Sequence, residues 1–161
     1  MSIDTSSGWV FLKNPIPEID TFKYLCPTLN YKKTDNGLIR FKFSHDLDKI
    51  LSEYFDLSLD VGVYLTYPGW SYPYHCDNTR NCAFNQLLCT PDTGFISKMK
   101  FDEIEIDIPY SDNFCCLINV ANPHNIRNAT KNKMRYLLNI GVEGFLSFET
   151  VVRHLKQRKM I

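Results

Sequence analysis

The sequence lacks several features that would assign a protein to a large class. Its 161 residues include 18 basic and 18 acidic side chains, so it has no net charge that would attract nucleic acid or an anionic membrane. No apolar run approaches the ~18–20 residues of a membrane-spanning helix. The first residues also lack the basic-then-apolar pattern of a secretory leader. We therefore expect a cytoplasmic protein with neither nucleic acid nor a membrane as its partner.

Cysteine pairs with the C-x-x-C spacing and sequence repeats are also absent. None of the six cysteines has the C-x-x-C spacing of a zinc ribbon, and we expect all of them to be reduced small hydrophobic residues. These are Cys26, Cys76, Cys82, Cys89, Cys115 and Cys116. At 161 residues with 44% hydrophobic side chains, the chain can form one core. We expect a single domain over residues 1–161.

Short alternating segments separated by turn residues dominate the sequence from Leu59 to Val142. Proline, glycine, asparagine and aspartate punctuate them, as between strands of a β-rich protein. The predicted strands are Leu59–Tyr67, Tyr72–Asp77, Cys82–Cys89, Phe95–Met99, Glu103–Ile108, Phe114–Asn119, His124–Ala129 and Met134–Val142. Eight short strands are typical of a double-sheet, cupin-like jelly roll.

Residues 1–58 are predicted to support this core. Strands are expected at Trp9–Leu12 and, after a turn at Asp35–Gly37, at Leu38–Phe43. A short helix is expected from Pro17 to about Leu25. Ser44 is a good N-cap for a second helix. The apolar stripe expected on that helix consists of Leu47, Ile50, Leu51 and Tyr54.

The C-terminal segment 147–159 is predicted to be a helix. Ser147 suits the N-cap, and Glu149 in the first turn is favoured by the helix dipole. Four apolar residues then follow at helical spacing: Phe148, Val151, Val152 and Leu155. The basic residues of this segment are expected on its solvated outer face.

Three potential metal ligands lie on the second and the seventh predicted strands. His75 and Asp77 form a His-x-Asp pair, and His124 follows 49 residues after His75. Alternate residues of a strand share a face, so His75 and Asp77 can converge on one ion. Two histidines and one carboxylate form the facial triad that binds Fe(II) and leaves the opposite positions open. We therefore predict a metal site at His75, Asp77 and His124.

Arg135 lies eleven residues beyond His124, on the eighth predicted strand. The polar segment Thr130–Lys133 predicts a turn that joins strands seven and eight into a hairpin. Such a hairpin would place Arg135 opposite Ile126 or Asn128, on the face that carries His124. A register shift by one residue would turn the arginine outward.

Together these segments resemble the Fe(II)/2-oxoglutarate-dependent dioxygenases, especially prolyl-hydroxylase-like and aspartyl/asparaginyl-hydroxylase-like members. The resemblance extends from Tyr64 to Val142. It is carried by the Tyr-Pro-Gly…His-x-Asp-Asn pattern of residues 67–78 and by the distal His124 with Arg135. The family implies a jelly roll with the metal ligands on strands two and seven and the arginine on strand eight.

The resemblance also implies the chemistry. Fe(II), 2-oxoglutarate and O2 would be the cofactor and cosubstrates, with Arg135 pairing the distal carboxylate of 2-oxoglutarate. Members with Arg-x-Ser use that serine as a second contact, but Leu137 stands at the position here. Tyr64 is our candidate for the missing hydroxyl. The expected reaction is hydroxylation of a peptide or amino-acid side chain or a small metabolite, with release of succinate and CO2.

Two alternatives remain open from the sequence. A cupin-like protein would bind a metal at the triad without 2-oxoglutarate, although Arg135 would then have no carboxylate to pair. A catalytically silent jelly roll would serve as an interaction module, although an intact triad argues against it.

Overall fold

In a computed structural model, which describes residues 8–28, 38–43 and 45–161, two antiparallel β-sheets face each other. The six-stranded sheet has the order β1 (Trp9–Phe11), β8 (Cys116–Asn119), β5 (Cys82–Leu87), β10 (Arg135–Val142), β3 (Leu59–Thr66) and β2 (Leu38–Phe41). The four-stranded sheet has the order β4 (Ser71–His75), β9 (His124–Asn128), β6 (Phe95–Phe101) and β7 (Ile104–Asp107). The predicted jelly roll is confirmed, with eight strands between Leu59 and Val142.

Within the described ranges, three α-helices accompany the sheets: α1 (Ile19–Leu25), α2 (His45–Phe55) and α3 (Phe148–Gln157). A 3-10 turn at Cys26–Thr28 follows α1. The buried apolar side chains of the helices join one face of the six-stranded sheet in a single large core, which we call the outer core. The alternation of β3 explains this division, since Val61, Val63 and Leu65 enter the outer core while Tyr64 lines a cavity on the opposite face. None of the helices in the described ranges is long and apolar enough to cross a membrane.

The predicted helices agree with the structure except at particular positions. Ser147 caps α3, because its side chain accepts a hydrogen bond from the Thr150 amide, and all four predicted apolar residues of that helix are buried. On α2, however, Ile50 is 39% exposed, and Phe55 instead enters the outer core. The predicted Ser44 cap and the turn at Asp35–Gly37 lie outside the described residues.

The space between the two sheets contains a second and much smaller apolar cluster, which we call the inner core. It consists of Ala83, Met99, Ile108, Cys116, Ile118 and Val120. The adjacent Cys115 belongs to the outer core, so the two neighbouring cysteines point apart as predicted. None of the six cysteines forms a disulfide, and Cys76 alone among them is exposed.

Two local predictions are wrong. Strands β9 and β10 form no hairpin: β9 pairs with β4 and β6, whereas β10 crosses to the other sheet and pairs with β3 and β5. Arg135 is therefore opposite Thr66, not Ile126 or Asn128. Strand β4 also ends at His75, so Asp77 belongs to the following loop. In a jelly roll, two strands joined by a turn can lie in opposite sheets. A short polar turn in the sequence does not show whether the two strands it joins pair with each other.

Candidate metal centre

The three predicted ligands converge at one end of the space between the sheets. The Nε2 atoms of His75 and His124 each lie 3.6 Å from the Oδ1 atom of Asp77. One ligand atom from each residue lies within 4.8 Å of the others, which makes this a cluster able to hold one metal ion. The two histidines are directly opposite each other on β4 and β9. Strand pairing therefore brings together residues that are far apart in the sequence.

Hydrogen bonds orient both imidazole rings toward the cluster. His75 Nδ1 lies 3.0 Å from the Pro73 carbonyl oxygen, and His124 Nδ1 lies 2.9 Å from the Asn122 carbonyl oxygen. A carbonyl oxygen only accepts, so each Nδ1 carries the proton. In the neutral form of each ring, Nε2 then carries the free lone pair, and this atom faces Asp77. This arrangement, with a carbonyl behind each ring, is typical of metal-binding histidines.

Asp77 is positioned by its backbone instead of by a strand. Its amide donates a 2.9 Å hydrogen bond to the Val120 carbonyl, which anchors the loop after β4 to the segment that precedes His124. Its two carboxylate oxygens have different surroundings. Oδ1 faces the histidines, whereas Oδ2 accepts a 3.0 Å hydrogen bond from Nε of Arg80.

The protonation and the chemistry of the donors suit a first-row divalent metal. His124 is buried, and this burial lowers its pKa below the usual value, which favours the neutral ring that binds metal. Two imidazoles with one carboxylate form the donor set that non-haem Fe(II) uses while keeping other positions open. The residues present therefore fit Fe(II).

A cavity of about 330 Å³ opens beside the cluster. Its wall is mixed, with apolar Ile118, Val120, Ile126 and Leu137 and with polar Tyr64, Asn78, Arg80, Asn85, Tyr110 and Asn139. Tyr72 lies at its mouth, 42% exposed, with its ring 4.5 Å from the His75 ring and nearly parallel to that of Trp70. An aromatic surface thus adjoins the candidate metal ligands.

Arg135 is fully buried deeper between the sheets. Its Nη2 donates a 2.8 Å hydrogen bond to Ser97 Oγ on the facing sheet, and its guanidinium lies 5.6 Å from the Tyr110 ring centre. Its Nε has no hydrogen-bond partner in the described part of the chain. Burial lowers the pKa of this guanidinium, although Tyr110 and Cys89 act in the opposite direction. A buried arginine with an unpartnered donor is suited to an anionic ligand.

The hydroxyl of Tyr64 contacts a different arginine. Tyr64 lines the cavity, and its hydroxyl lies 3.5 Å from Nη2 of Arg80. The hydroxyl next to Arg135 belongs to Ser97, which the sequence reasoning missed, as it missed Tyr110 and Arg80. Ser97 had a usable signal, since alternation within β6 puts it on the same face as Met99 of the inner core. Arg80 had none, because it lies in a loop.

No protein-family model and no curated protein matches the sequence. Comparison with solved structures finds prolyl-4-hydroxylase of Pseudomonas putida at 15% identity and a TM-score of 0.57, over 87% of this chain and 95% of that one. A prolyl hydroxylase of Trichoplax adhaerens, in complex with a hypoxia-inducible-factor peptide fragment, has 15% identity and a TM-score of 0.62, over 86% and 84%. HygX of Streptomyces hygroscopicus, with nickel and 2-oxoglutarate bound, has 9% identity and a TM-score of 0.60, over 89% and 86%.

These neighbours share their fold with this protein over most of its length. The chain therefore has the jelly-roll fold of the 2-oxoglutarate/Fe(II) oxygenases, and the resemblance seen in residues 64–142 is confirmed at the level of the fold. At 9–15% identity the similarity concerns architecture. Function has to be argued from the site.

Proposed function

We propose that this protein is an Fe(II)- and 2-oxoglutarate-dependent dioxygenase. The observation that carries the proposal is the convergence of the Nε2 atoms of His75 and His124 on one oxygen of Asp77. These three residues would bind Fe(II) on one face and leave three positions open. The fold shared with 2-oxoglutarate/Fe(II) oxygenases supports the same assignment.

Arg135 would bind the distal carboxylate of 2-oxoglutarate. A guanidinium pairs with a carboxylate through two parallel hydrogen bonds, and Nε of Arg135 has no other partner. Ser97 is already hydrogen-bonded to this arginine, so its hydroxyl would replace the one that Leu137 lacks. Tyr64, the choice made from the sequence, stays a prediction.

Bound Fe(II) and 2-oxoglutarate would supply the oxidation, in which O2 is consumed, 2-oxoglutarate becomes succinate and CO2, and a substrate C–H bond becomes C–OH. The protein itself would position the groups. The carbonyls behind His75 and His124 keep the rings in the ligating tautomer. The apolar residues of the cavity wall would exclude water from the reacting atoms.

The substrate would be a peptide or amino-acid side chain or a small metabolite. Tyr72 and Trp70 at the cavity mouth support a ligand that packs on aromatic rings. The Trichoplax neighbour is a prolyl hydroxylase bound to a peptide fragment, which supports a peptide. We also propose a cytoplasmic location, where free cysteines stay reduced.

One observation favours a second candidate, a cupin-like metal protein that does not use 2-oxoglutarate. Arg135 is absent from the residues that line the cavity, whereas Tyr110, whose ring centre lies 5.6 Å from the Arg135 guanidinium, is among them. For 2-oxoglutarate to reach Arg135, side chains of the cavity wall would have to move. A protein that binds only a metal would need no such movement.

An anaerobic titration separates these functions. The purified apoprotein is titrated with Fe(II) and then with 2-oxoglutarate while visible absorbance is followed. A charge-transfer band that requires both components, and that is lost in His124→Ala, is the result expected for the dioxygenase. Iron binding without the band would favour the cupin-like protein. Absence of iron binding would leave a jelly roll used for interaction.

A further inference from the structure

Arg80 lies next to the candidate metal centre without being one of the predicted site residues. It belongs to the loop between β4 and β5, yet its side chain is only 13% exposed. Its Nε donates a 3.0 Å hydrogen bond to Oδ2 of Asp77, the oxygen that does not face the histidines. The two carboxylate oxygens of Asp77 therefore have different partners: Oδ1 faces the histidines, and Oδ2 accepts the hydrogen bond from Arg80.

The position of Arg80 is determined by two other contacts. Its Nη2 lies 3.5 Å from the Tyr64 hydroxyl, and its guanidinium lies directly against Gly141 on β10. A Cβ atom at position 141 would collide with that guanidinium. A glycine thus provides the space that the buried cation occupies.

We propose that Arg80 is a positioning residue that restricts Asp77 to one-oxygen binding of the metal. The proposal rests on the proposed function. A carboxylate can bind a metal through one oxygen or through two, and a charged hydrogen bond to Oδ2 favours the first mode. With one oxygen from Asp77, three positions remain open, of which the 2-oxoglutarate chelate takes two and dioxygen needs the third. Two-oxygen binding would consume that third position.

The number of open positions can be counted without enzymatic activity. Mn(II) is added to the apoprotein, and the relaxation of water protons reports how many exchangeable waters the bound ion retains. Arg80→Met removes the hydrogen bond. Gly141→Ala displaces the guanidinium by its added methyl group and leaves the charge in place, with only a flexible side-chain end to move. Arg153→Met, an exposed arginine on α3, is the matched control.

In wild type and Arg153→Met, Mn(II) should retain three waters, since three protein atoms bind it. In Arg80→Met and Gly141→Ala, relaxation should fall by about a third because the freed Oδ2 replaces one water. Wild-type relaxation in both variants would overturn the inference. If Arg80→Met binds no Mn(II), Gly141→Ala decides: the same fall supports the inference and the wild-type value overturns it.

The failure of this inference is distinguishable from failure of the proposed function. If wild type itself binds no Mn(II), the metal centre is wrong and Arg80 has no ligand to position. If wild type binds Mn(II) and shows the band with Fe(II) and 2-oxoglutarate, while both variants keep three waters, the proposed function stands and the role of Arg80 does not.

Discussion

The two faces of the six-stranded sheet differ in what they contain. The outer core packs three helices against the sheet through a continuous set of buried apolar residues. The inner face, which looks toward the second sheet, carries buried polar residues: Thr66, Asn85, Arg135 and Asn139. Both faces come from the same strands, since alternate residues of β3, β5 and β10 point to opposite sides.

This difference separates stability from function. Burial of apolar surface is the main favourable term in folding, and most of it lies in the outer core. The inner face has less apolar packing, and it has a cavity and polar groups that ligands can contact. We therefore expect outer substitutions to change the free energy of unfolding and inner substitutions to change binding. A substitution on one face that changes both stability and binding would show that the two faces are coupled.

The largest effect is expected from His124→Ala. It removes one of the three proposed metal ligands, so Fe(II) affinity should fall by more than ~100-fold, beyond the 10–100-fold typical of losing an outer-shell partner. The free energy of unfolding of the apoprotein should change little, because His124 contributes no apolar packing to the outer core. Isothermal titration with Fe(II) and thermal unfolding measure the two quantities. A large loss of stability without loss of metal affinity would contradict the separation.

Leu138→Ala should show the opposite behaviour. Leu138 is completely buried in the outer core on β10, between Leu137 and Asn139 of the inner face. Removing its side chain should lower the free energy of unfolding by about 2–5 kcal/mol, as for buried leucines in general. Chemical denaturation gives this value. Fe(II) affinity of the folded fraction should stay near wild type, and a parallel loss would show that the two faces are coupled.

Arg135→Met tests the deep end of the inner face. Losing a buried charged hydrogen-bond donor should weaken 2-oxoglutarate binding by about 2–5 kcal/mol and leave Fe(II) affinity unchanged. Ser97→Ala, which removes the hydroxyl beside Arg135, should weaken the same binding by only about 1 kcal/mol. Arg127→Met, an exposed arginine on β9, is the control. Unchanged 2-oxoglutarate affinity in Arg135→Met would show that the assignment of this residue is wrong.

The smallest effect is expected at the surface. Burial alone would raise the pKa of Asp60, but Lys42 and Arg40 outweigh it and lower the pKa. A folded pKa below the unfolded one stabilises the protein above the unfolded value of about 4, and this contribution is lost as the pH falls through the folded pKa. Asp60→Asn should therefore destabilise by less than about 1 kcal/mol at pH 7. Unfolding curves at acidic pH should show no difference between the two proteins.

The elements that could be predicted from the sequence are those with a regular local spacing of apolar and polar residues. Period-two alternation located the strands from Leu59 to Val142, and the spacing of Phe148, Val151 and Leu155 located α3 with its Ser147 cap. The prediction for Ile50 failed because a residue at the helical spacing of an apolar stripe can still lie at the exposed edge of the buried face. The single domain over residues 1–161 stays a prediction.

Local sequence pattern was sufficient to identify which residues could form the candidate metal centre. Histidine and aspartate at the spacing of residues 75, 77 and 124 are a chemical pattern that needs no coordinates, and the convergence of these residues agrees with it. The sequence also suggested Arg135, which lies only eleven residues after His124.

The arrangement of these residues depends on the packing of the two sheets. The crossing of β10 into the opposite sheet brings Arg135 to Ser97 instead of Ile126 or Asn128. The close approach of Gly141 to the loop after β4 makes room for Arg80 beside Asp77. Both contacts join residues that are distant along the chain, and their geometry depends on how two sheets pack, which local sequence patterns do not specify.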